Sequence, residues 1–300
     1  MTVSSARASD RGVTATLVVL LTMAVTLQAA RERLAPPREA EVPALWLQSP
    51  EAARRIMLSF TDLAADVYWM RAVVHYGSER RSQGTRRFPL LYPLLDMATT
   101  LDPLFDVAAR MGAIFLSEGY PGGPGRPDRA IQLLEKGLSH DPARWQYRHD
   151  LGFVNYWWLK NYAEAARQFE LGSRMPDAPE WLRTMAAVTL ARGGDRDAAR
   201  KLWTEMLEAA DVDWMRRAAV YGLQQLRALD DLDGLRARVG RVTELTGALP
   251  RTWAAVIAAG LLTSAPLDPS GAPYALGADG TVTLDPTSAL NPLPMLETHR

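Results

Sequence analysis

The chain has no cysteine in its 300 residues. That single absence removes disulfides, thiolate metal sites, a cysteine nucleophile and a lipoprotein anchor together, and it fits either side of a bacterial membrane. Net charge is also lacking, because 34 basic and 34 acidic side chains cancel. Without a broad basic footprint the electrostatic term that drives nucleic-acid binding is missing. Only four histidines occur, His75, His140, His149 and His299, and none shows the i, i+4 spacing of a helical zinc site. There is no Gly-x-Ser-x-Gly elbow. The glycine-rich stretch Ser117 to Pro127 has neither the Gly-Lys-Ser/Thr ending nor the preceding strand of a phosphate loop. His149-Asp150 comes nearest to an acid–base pair, yet adjacent residues on a helix point about 100° apart. Asp268, Asp279 and Asp285 lack the fixed ligand ladder of a calcium site. The expectation is therefore a non-enzymatic chain with no catalytic, cofactor-binding or metal-ligating set. Aromatics, by contrast, are plentiful, with nine Trp and nine Tyr to fill inter-helix gaps or line a groove.

What the chain does hold is a repeated spacing between Leu104 and Glu208. A small residue at the head of a helix is followed four positions later by a bulky one, three times over: Ala130 with Leu134, Ala165 with Phe169, Ala198 with Leu202. The steps between successive pairs are 35 and 33 residues. Upstream of each pair a small residue lies inside a first helix, at Gly112, Gly152 and Ala186, and two units close on Pro142 and Pro176. Small residues there let two helices approach while Leu134 or Phe169 fills the gap beside them, and proline ends the unit because it cannot continue a helix. Stacked helix pairs of one length predict an all-α solenoid.

On these residues the chain resembles the tetratricopeptide repeat (TPR) family, whose unit is about 34 residues of helix-turn-helix. The best match is Leu151-Gly152, then Tyr162-Ala163-Glu164-Ala165-Ala166, Phe169 and Pro176. An earlier unit reads Asp128-Arg129-Ala130-Ile131, Leu134 and Leu138-Ser139-His140-Asp141-Pro142, and a fainter one ends in Ala98-Thr99-Thr100-Leu101-Asp102-Pro103, its second helix interrupted by Pro93. Three features depart from the pattern: Ser117 to Pro127 is an insertion, Lys160-Asn161 carries one extra residue, and Glu205 replaces the small residue seen at Gly137 and Gly172. In the helix from Trp145 to Trp158, spacing assigns Tyr147, Leu151, Val154 and Trp158 to the core. The resemblance implies that first helices line a concave surface where extended peptides or partner tails bind. On that basis Trp145, Arg148, Asn155 and Arg183 are the candidate protein-binding groove residues.

The rest of the chain caps or anchors this array. Residues 1–11 are a short N-terminal tail, and Gly12 to Ala30 form 19 uncharged residues, just enough at about 1.5 Å each to span a hydrocarbon core of about 30 Å. A cut after Ala30 or Ala29 would place Gln28 or Leu27 at the −3 position, so residues 12–30 read as an uncleaved transmembrane signal anchor. Arg7 and Arg11 precede the span while Arg31, Arg33 and Arg38 follow it, and on charge alone the body would stay inside. A short polar N-terminus before one apolar span is nonetheless the usual inner-membrane anchor of an exported domain, and by that analogy the body is placed in the periplasm. Residues 31–50 are a proline-rich linker.

Residues 51–103 are read as N-terminal capping helices and a degenerate repeat. From Ala52 to Gly77 the residues Ile56, Phe60, Leu63, Val67, Met70 and Val74 make one apolar face of a long helix. The run Leu63 to Val73 resembles an entry helix of envelope repeat proteins of gram-negative bacteria. Ser78 to Arg87 is a polar loop dense in arginine, solvated or in touch with anionic headgroups or an acidic partner. Residues 104–208 carry the repeats, and 209–247 a capping pair, Asp213 to Ala228 and Leu232 to Thr246, joined at Leu229-Asp230-Asp231. Residues 248–300 hold a short helix, a small β-hairpin around Gly277-Ala278-Asp279-Gly280, and a loose tail from Asp285. The segment Ala259-Gly260-Leu261-Leu262, Pro266 and Asp268 to Tyr274 is similar to the carboxyl-terminal turn and hairpin of type II secretion pseudopilins.

Together these readings predict a single-pass inner-membrane protein that projects a TPR-type scaffold into the periplasm to hold other proteins, in a secretion or pilus-type machine. Two other classes stay open. One is a periplasmic glycan-binding protein or enzyme with a site near the 117–127 loop and the Trp145 helix; the other is a cytoplasmic-facing, membrane-tethered co-chaperone.

Overall fold

The computed structural model describes residues 19–23, 26–27 and 50–294. The chain divides into residues 1–46 and 47–300; the first unit holds the helical residues 19–23 and 26–27, the second all the other elements. The expected span 12–30 lies mostly outside the described residues, as do the tail 1–11 and almost all of the linker 31–50. Among the described residues no helix is long and apolar enough to cross a membrane.

The second unit is helical apart from one two-stranded sheet among the described residues. Its elements are α1 (Pro50–Met57), a 3-10 turn (Leu58–Phe60), α2 (Thr61–Arg81), α3 (Leu91–Leu101), α4 (Asp106–Ser117), α5 (Pro127–His140), α6 (Trp145–Trp157), α7 (Tyr162–Ser173), α8 (Trp181–Arg192), α9 (Arg196–Glu208), α10 (Asp213–Thr246), α11 (Trp253–Ala258), β1 (Tyr274–Leu276) and β2 (Val282–Leu284). From α2 to α10 each helix packs on the next in sequence, and the alternate pairs α3–α5, α4–α6 and α8–α10 also touch. Local punctuation sets the ends. Pro127 opens α5 in its first turn, where a missing N–H costs nothing. Asn161 caps α7 by accepting from Glu164 N at 3.2 Å, and Asp195 caps α9 by accepting from Ala198 N at 3.0 Å. The extra residue before α7 is absorbed by Lys160 in the left-handed region, at φ 54°.

The small-against-large pattern is the packing rule of the core. A Cβ placed on Gly152 of α6 would sit 2.4 Å from the Phe169 ring of α7, and one on Gly112 of α4 would sit 2.7 Å from Leu95 of α3. Gly137 of α5 admits the Tyr147 ring of α6 in the same way, at 2.5 Å. Ala130, Leu134, Ala165 and Ala186 are buried; in the third pair the buried small residue is Ala199, while Ala198 is half-buried. Burial, with Asp106 nearby, pushes the Tyr147 hydroxyl up to about 12, so the ring stays neutral.

Several boundaries differ from the sequence reading. The helix expected from Ala52 to Gly77 is broken at Leu58–Phe60 and runs on to Arg81, so the arginine loop begins at Ser82. Its apolar row, Ile56 to Val74, points outward, while Ala64, Ala65, Tyr68, Ala72 and Tyr76 face the neighbours. Ala64, Ala65 and Ala72 let α3 come close, and the buried Tyr68 and Tyr76 rings lie on the same face. Pro93 does not interrupt α3, since it falls in the first turn. Asp102 accepts from Leu104 N, delaying the start of α4 to Asp106.

The expected pair 213–228 and 232–246 is one unbroken helix, α10, ended by Gly247 at φ 71°. Leu229-Asp230-Asp231 holds no proline or glycine to stop it. The helix serves two cores: Ala219, Leu226 and Leu229 pack with α8 and α9, whereas Leu232, Leu235, Val239 and Val242 pack with α11 and the hairpin. The tail from Asp285 is pinned as far as Leu293. Leu290 is buried, and Gln225 Nε2 donates to the carbonyls of Leu290 and Pro292.

The hairpin forms as expected, with Tyr274 opposite Leu284 and Leu276 opposite Val282. Its keystone is Asp268, 4% exposed. That carboxylate accepts from Ser270 N and Oγ, Ala272 N and Ser288 Oγ. Burial works against ionisation, but the donors from Ser288, Ser270 and Ala272 outweigh it and hold the group below the usual carboxylate range. A lowered folded value means stability that is present above the unfolded pKa of about 3.9 and lost as pH falls through the folded one. Asp268→Ala is expected to cost about 1–3 kcal/mol at neutral pH and to flatten the acid limb of the stability profile. Amide exchange at the hairpin across pH is the measurement; an unchanged acid limb would refute the role.

Candidate functional site

Helices α2, α4, α6, α8 and α10 leave apolar side chains on the surface after the core is complete. α4 exposes Val107, Met111 and Ile114; α6 exposes Phe153 and Trp157; α8 exposes Trp181 and Val188; α10 exposes Trp214, Val220 and Tyr221. Spacings of three, four and seven place Val107, Met111 and Ile114, Phe153 and Trp157, Trp181 and Val188, and Trp214 and Tyr221 each along one line of their helix. On α6 the rings form a ladder, His149 stacked on Phe153 at 6.4 Å and Phe153 on Trp157 at 6.3 Å. Across the gap to α8, Trp181 meets His149 edge-on at 5.7 Å and Trp145 at 6.0 Å. At the other end, Arg192 of α8 donates to the Tyr156 hydroxyl of α6. Because N-terminal halves meet and C-terminal ends meet, α6 and α8 run parallel.

Between them lies an apolar crevice of about 450 Å³, with Phe153, Tyr156, Trp157, Trp181, Met185 and Val188 on its walls and Phe169 at its base. Trp157 is 55% exposed and Trp181 43%. Exposed aromatics of this size are the side chains that carry most binding energy when a partner covers them. The Thr184 hydroxyl lines the same crevice and is buried with no hydrogen-bond partner among the described residues. It offers one polar contact within an apolar wall. Lys160 lies 5.3 Å from the Trp157 ring centre, so the C-terminal end of the crevice is positively charged.

The polar residues expected to line the groove lie elsewhere. Asn155 is 5% exposed and donates to Leu151 O of its own helix at 2.9 Å. Arg148 donates to Gln168 of α7 at 2.9 Å, and Gln168 in turn donates to Glu164. Arg183 pairs at 3.0 Å with Glu205 of α9, the residue that stands where other units have glycine. Arg148 and Arg183 serve contacts between consecutive helices and Asn155 one within α6; Trp145 is half-buried against Trp181, which lines the crevice. The reason is angular. At about 100° per residue from Tyr147, Asn155 falls near 80° and Arg148 near 100°, between Leu151 near 40° and Gly152 near 140°. Phe153 and Trp157 fall near 240° and 280°, on the opposite side.

The signal for the exposed row was thus in the sequence, but a helix aromatic on every side does not say which arc meets solvent. His149 and Asp150 do come together, Nδ1 to Oδ1 at 2.8 Å, with Arg110 of α4 on the same carboxylate. Flexible side chains bridge the angle that separates their Cβ atoms. The contact fixes the imidazole between Trp181 and Phe153. Among the described residues no three His, Asp or Glu side chains are grouped to hold a metal ion. Comparison with family models, with curated proteins and with solved structures finds no match in any of the three.

Proposed function

We propose that this chain is a non-enzymatic, membrane-anchored scaffold of the TPR type, which holds other proteins at the bacterial inner membrane with its body in the periplasm. The observation that carries this reading is the aromatic crevice between α6 and α8, whose rings are left over once the core is packed. The packing of each helix on the next in sequence from α2 to α10 supports the solenoid part of this reading. In this arrangement α4, α6, α8 and α10 line the concave side, and an apolar segment of a partner lies across them. Burial of its side chains against Phe153, Trp157 and Trp181 gives the affinity, and the Thr184 hydroxyl fixes register. Anchoring through residues 12–30 raises the local concentration of partners already in the membrane. A secretion or pilus-type machine is the assembly this reading favours, on the pseudopilin-like segment 259–274.

Photocrosslinking tests it. With a benzophenone amino acid in place of Val188, partners are captured from intact membranes and identified. Trp157→Ala with Trp181→Ala is expected to lower the yield of the captured partner at least about tenfold, since each buried aromatic anchor contributes on the order of 2 kcal/mol, while the melting temperature changes little. Equal yields from both chains would sink the assignment of the face.

A further inference from the structure

The sequence singled out an arginine-dense loop and a glycine-rich insertion as separate features, and the fold brings them to one place. They face each other across a cleft of about 540 Å³. Arg86 and Arg87 come from the first loop, Arg126 and Arg129 from the end of the insertion and the start of α5, and Tyr92 and Tyr120 complete the walls. No acidic side chain lines it. Arg86 ties the loops together by donating to Pro121 O at 3.0 Å.

The insertion is a built structure. Gly125 N donates to Glu118 O at 2.8 Å and Arg126 N to Leu116 O at 2.7 Å. Gly123 is packed so closely that a Cβ there would lie 2.6 Å from Glu118 O. The loop therefore presents Tyr120 and Arg126 at fixed positions.

We propose that this cleft is a second binding site, for an acidic extended segment of a partner protein. Three observations select that ligand over a single phosphate. First, the arginines do not converge with free donors on one point: Arg126 is held by Asp128, and Arg129 donates to Gln132 while lying 4.7 Å over the Tyr92 ring. They give a spread positive potential, suited to carboxylates at intervals along a chain. Second, the Arg87 guanidinium has no hydrogen-bond partner among the described residues, so it is free to take one carboxylate in a forked pair. Third, Tyr92, Tyr120, Pro89 and Pro93 supply flat apolar walls, on which an extended or proline-containing backbone seats. The site is distinct from the α6–α8 crevice and stands whether or not that crevice binds a partner.

The test uses the full chain in a neutral detergent and a fluorescein-labelled peptide of five Glu-Pro repeats, read by anisotropy. Saturable binding that weakens as salt is added is expected, with a Lys-Pro peptide of the same length failing to bind. Arg87→Glu should weaken the Glu-Pro peptide about tenfold and Arg87→Lys no more than about threefold, because charge is kept and the fork is lost. Far-UV circular dichroism melts of both variants check that the fold is intact. Absence of saturable binding, equal affinity for Arg87→Glu, full competition by inorganic phosphate at low concentration, or binding only to phosphatidylglycerol vesicles would each overturn the proposal.

Discussion

Phe169→Ala is expected to destabilise the body by about 3–5 kcal/mol, the range for removing a fully buried aromatic side chain. The ring is 2% exposed and fills the space that Gly152 leaves open between α6 and α7. It also meets His149 at 5.9 Å and shares a core with Leu182 and Ala186 of α8. Three helices therefore depend on one side chain, and the glycine opposite has no atoms with which to close the cavity. Surrounding alanines at Ala165, Ala186 and Ala187 are equally unable to expand. Urea unfolding followed by circular dichroism gives the number, with Trp157→Ala as the control. That residue is as large but exposed, and its loss should change stability by less than about 1 kcal/mol. A small effect at Phe169 would mean that the Gly152–Phe169 contact does not organise the helix pairs.

Gly222→Ala in α10 is expected to destabilise by about 1–3 kcal/mol, although alanine in a helix interior ordinarily gains about 0.5–1 kcal/mol over glycine. Here the added Cβ would lie 2.3 Å from Cε2 of the Trp203 indole, a rigid ring with no flexible end to move aside. Trp203 is itself buried in the core shared by α8, α9 and α10. The same substitution at Gly240, on the same helix with nothing within 4 Å of its Cβ position, should stabilise by about the helix-propensity increment. Opposite signs from one chemical change on one helix isolate the packing contribution. Thermal melts of the two variants decide it, and like signs would show that α10 does not sit against Trp203 this closely.

The repeat spacing was legible because it records close approach. Gly152 could be paired with Phe169 from sequence alone, since a helix pair that packs tightly must put something small opposite something large, whereas Gly112 meets Leu95 and Leu133 in place of the expected Leu134. The hairpin was legible from Gly280 and its neighbours, whereas Pro127, read as the end of the insertion, opens α5. The face of α2 was not. Its large apolar residues formed the stronger pattern, yet the fold buries the row of Ala64, Ala65 and Ala72 because distance between backbones, and not side-chain size, set the contact with α3. The pairing of two candidate groove residues was hidden for a related reason. Arg148 and Arg183 look free in sequence, but Gln168 and Glu205 lie on the next helix, where only the fold brings them within reach.

The amino-acid sequence by itself determined the helical class, the small residue that Gly152 places opposite Phe169, the hairpin, and the absence of cysteine, all of which follow from local spacing and composition. The tertiary structure decided which arc of each helix meets solvent, that α10 continues through Asp230 to join two cores, and that the Arg86 and Arg126 loops share one cleft. Those outcomes depend on contacts between residues tens of positions apart, and a one-dimensional pattern carries no record of which of two compatible faces a neighbouring helix will cover.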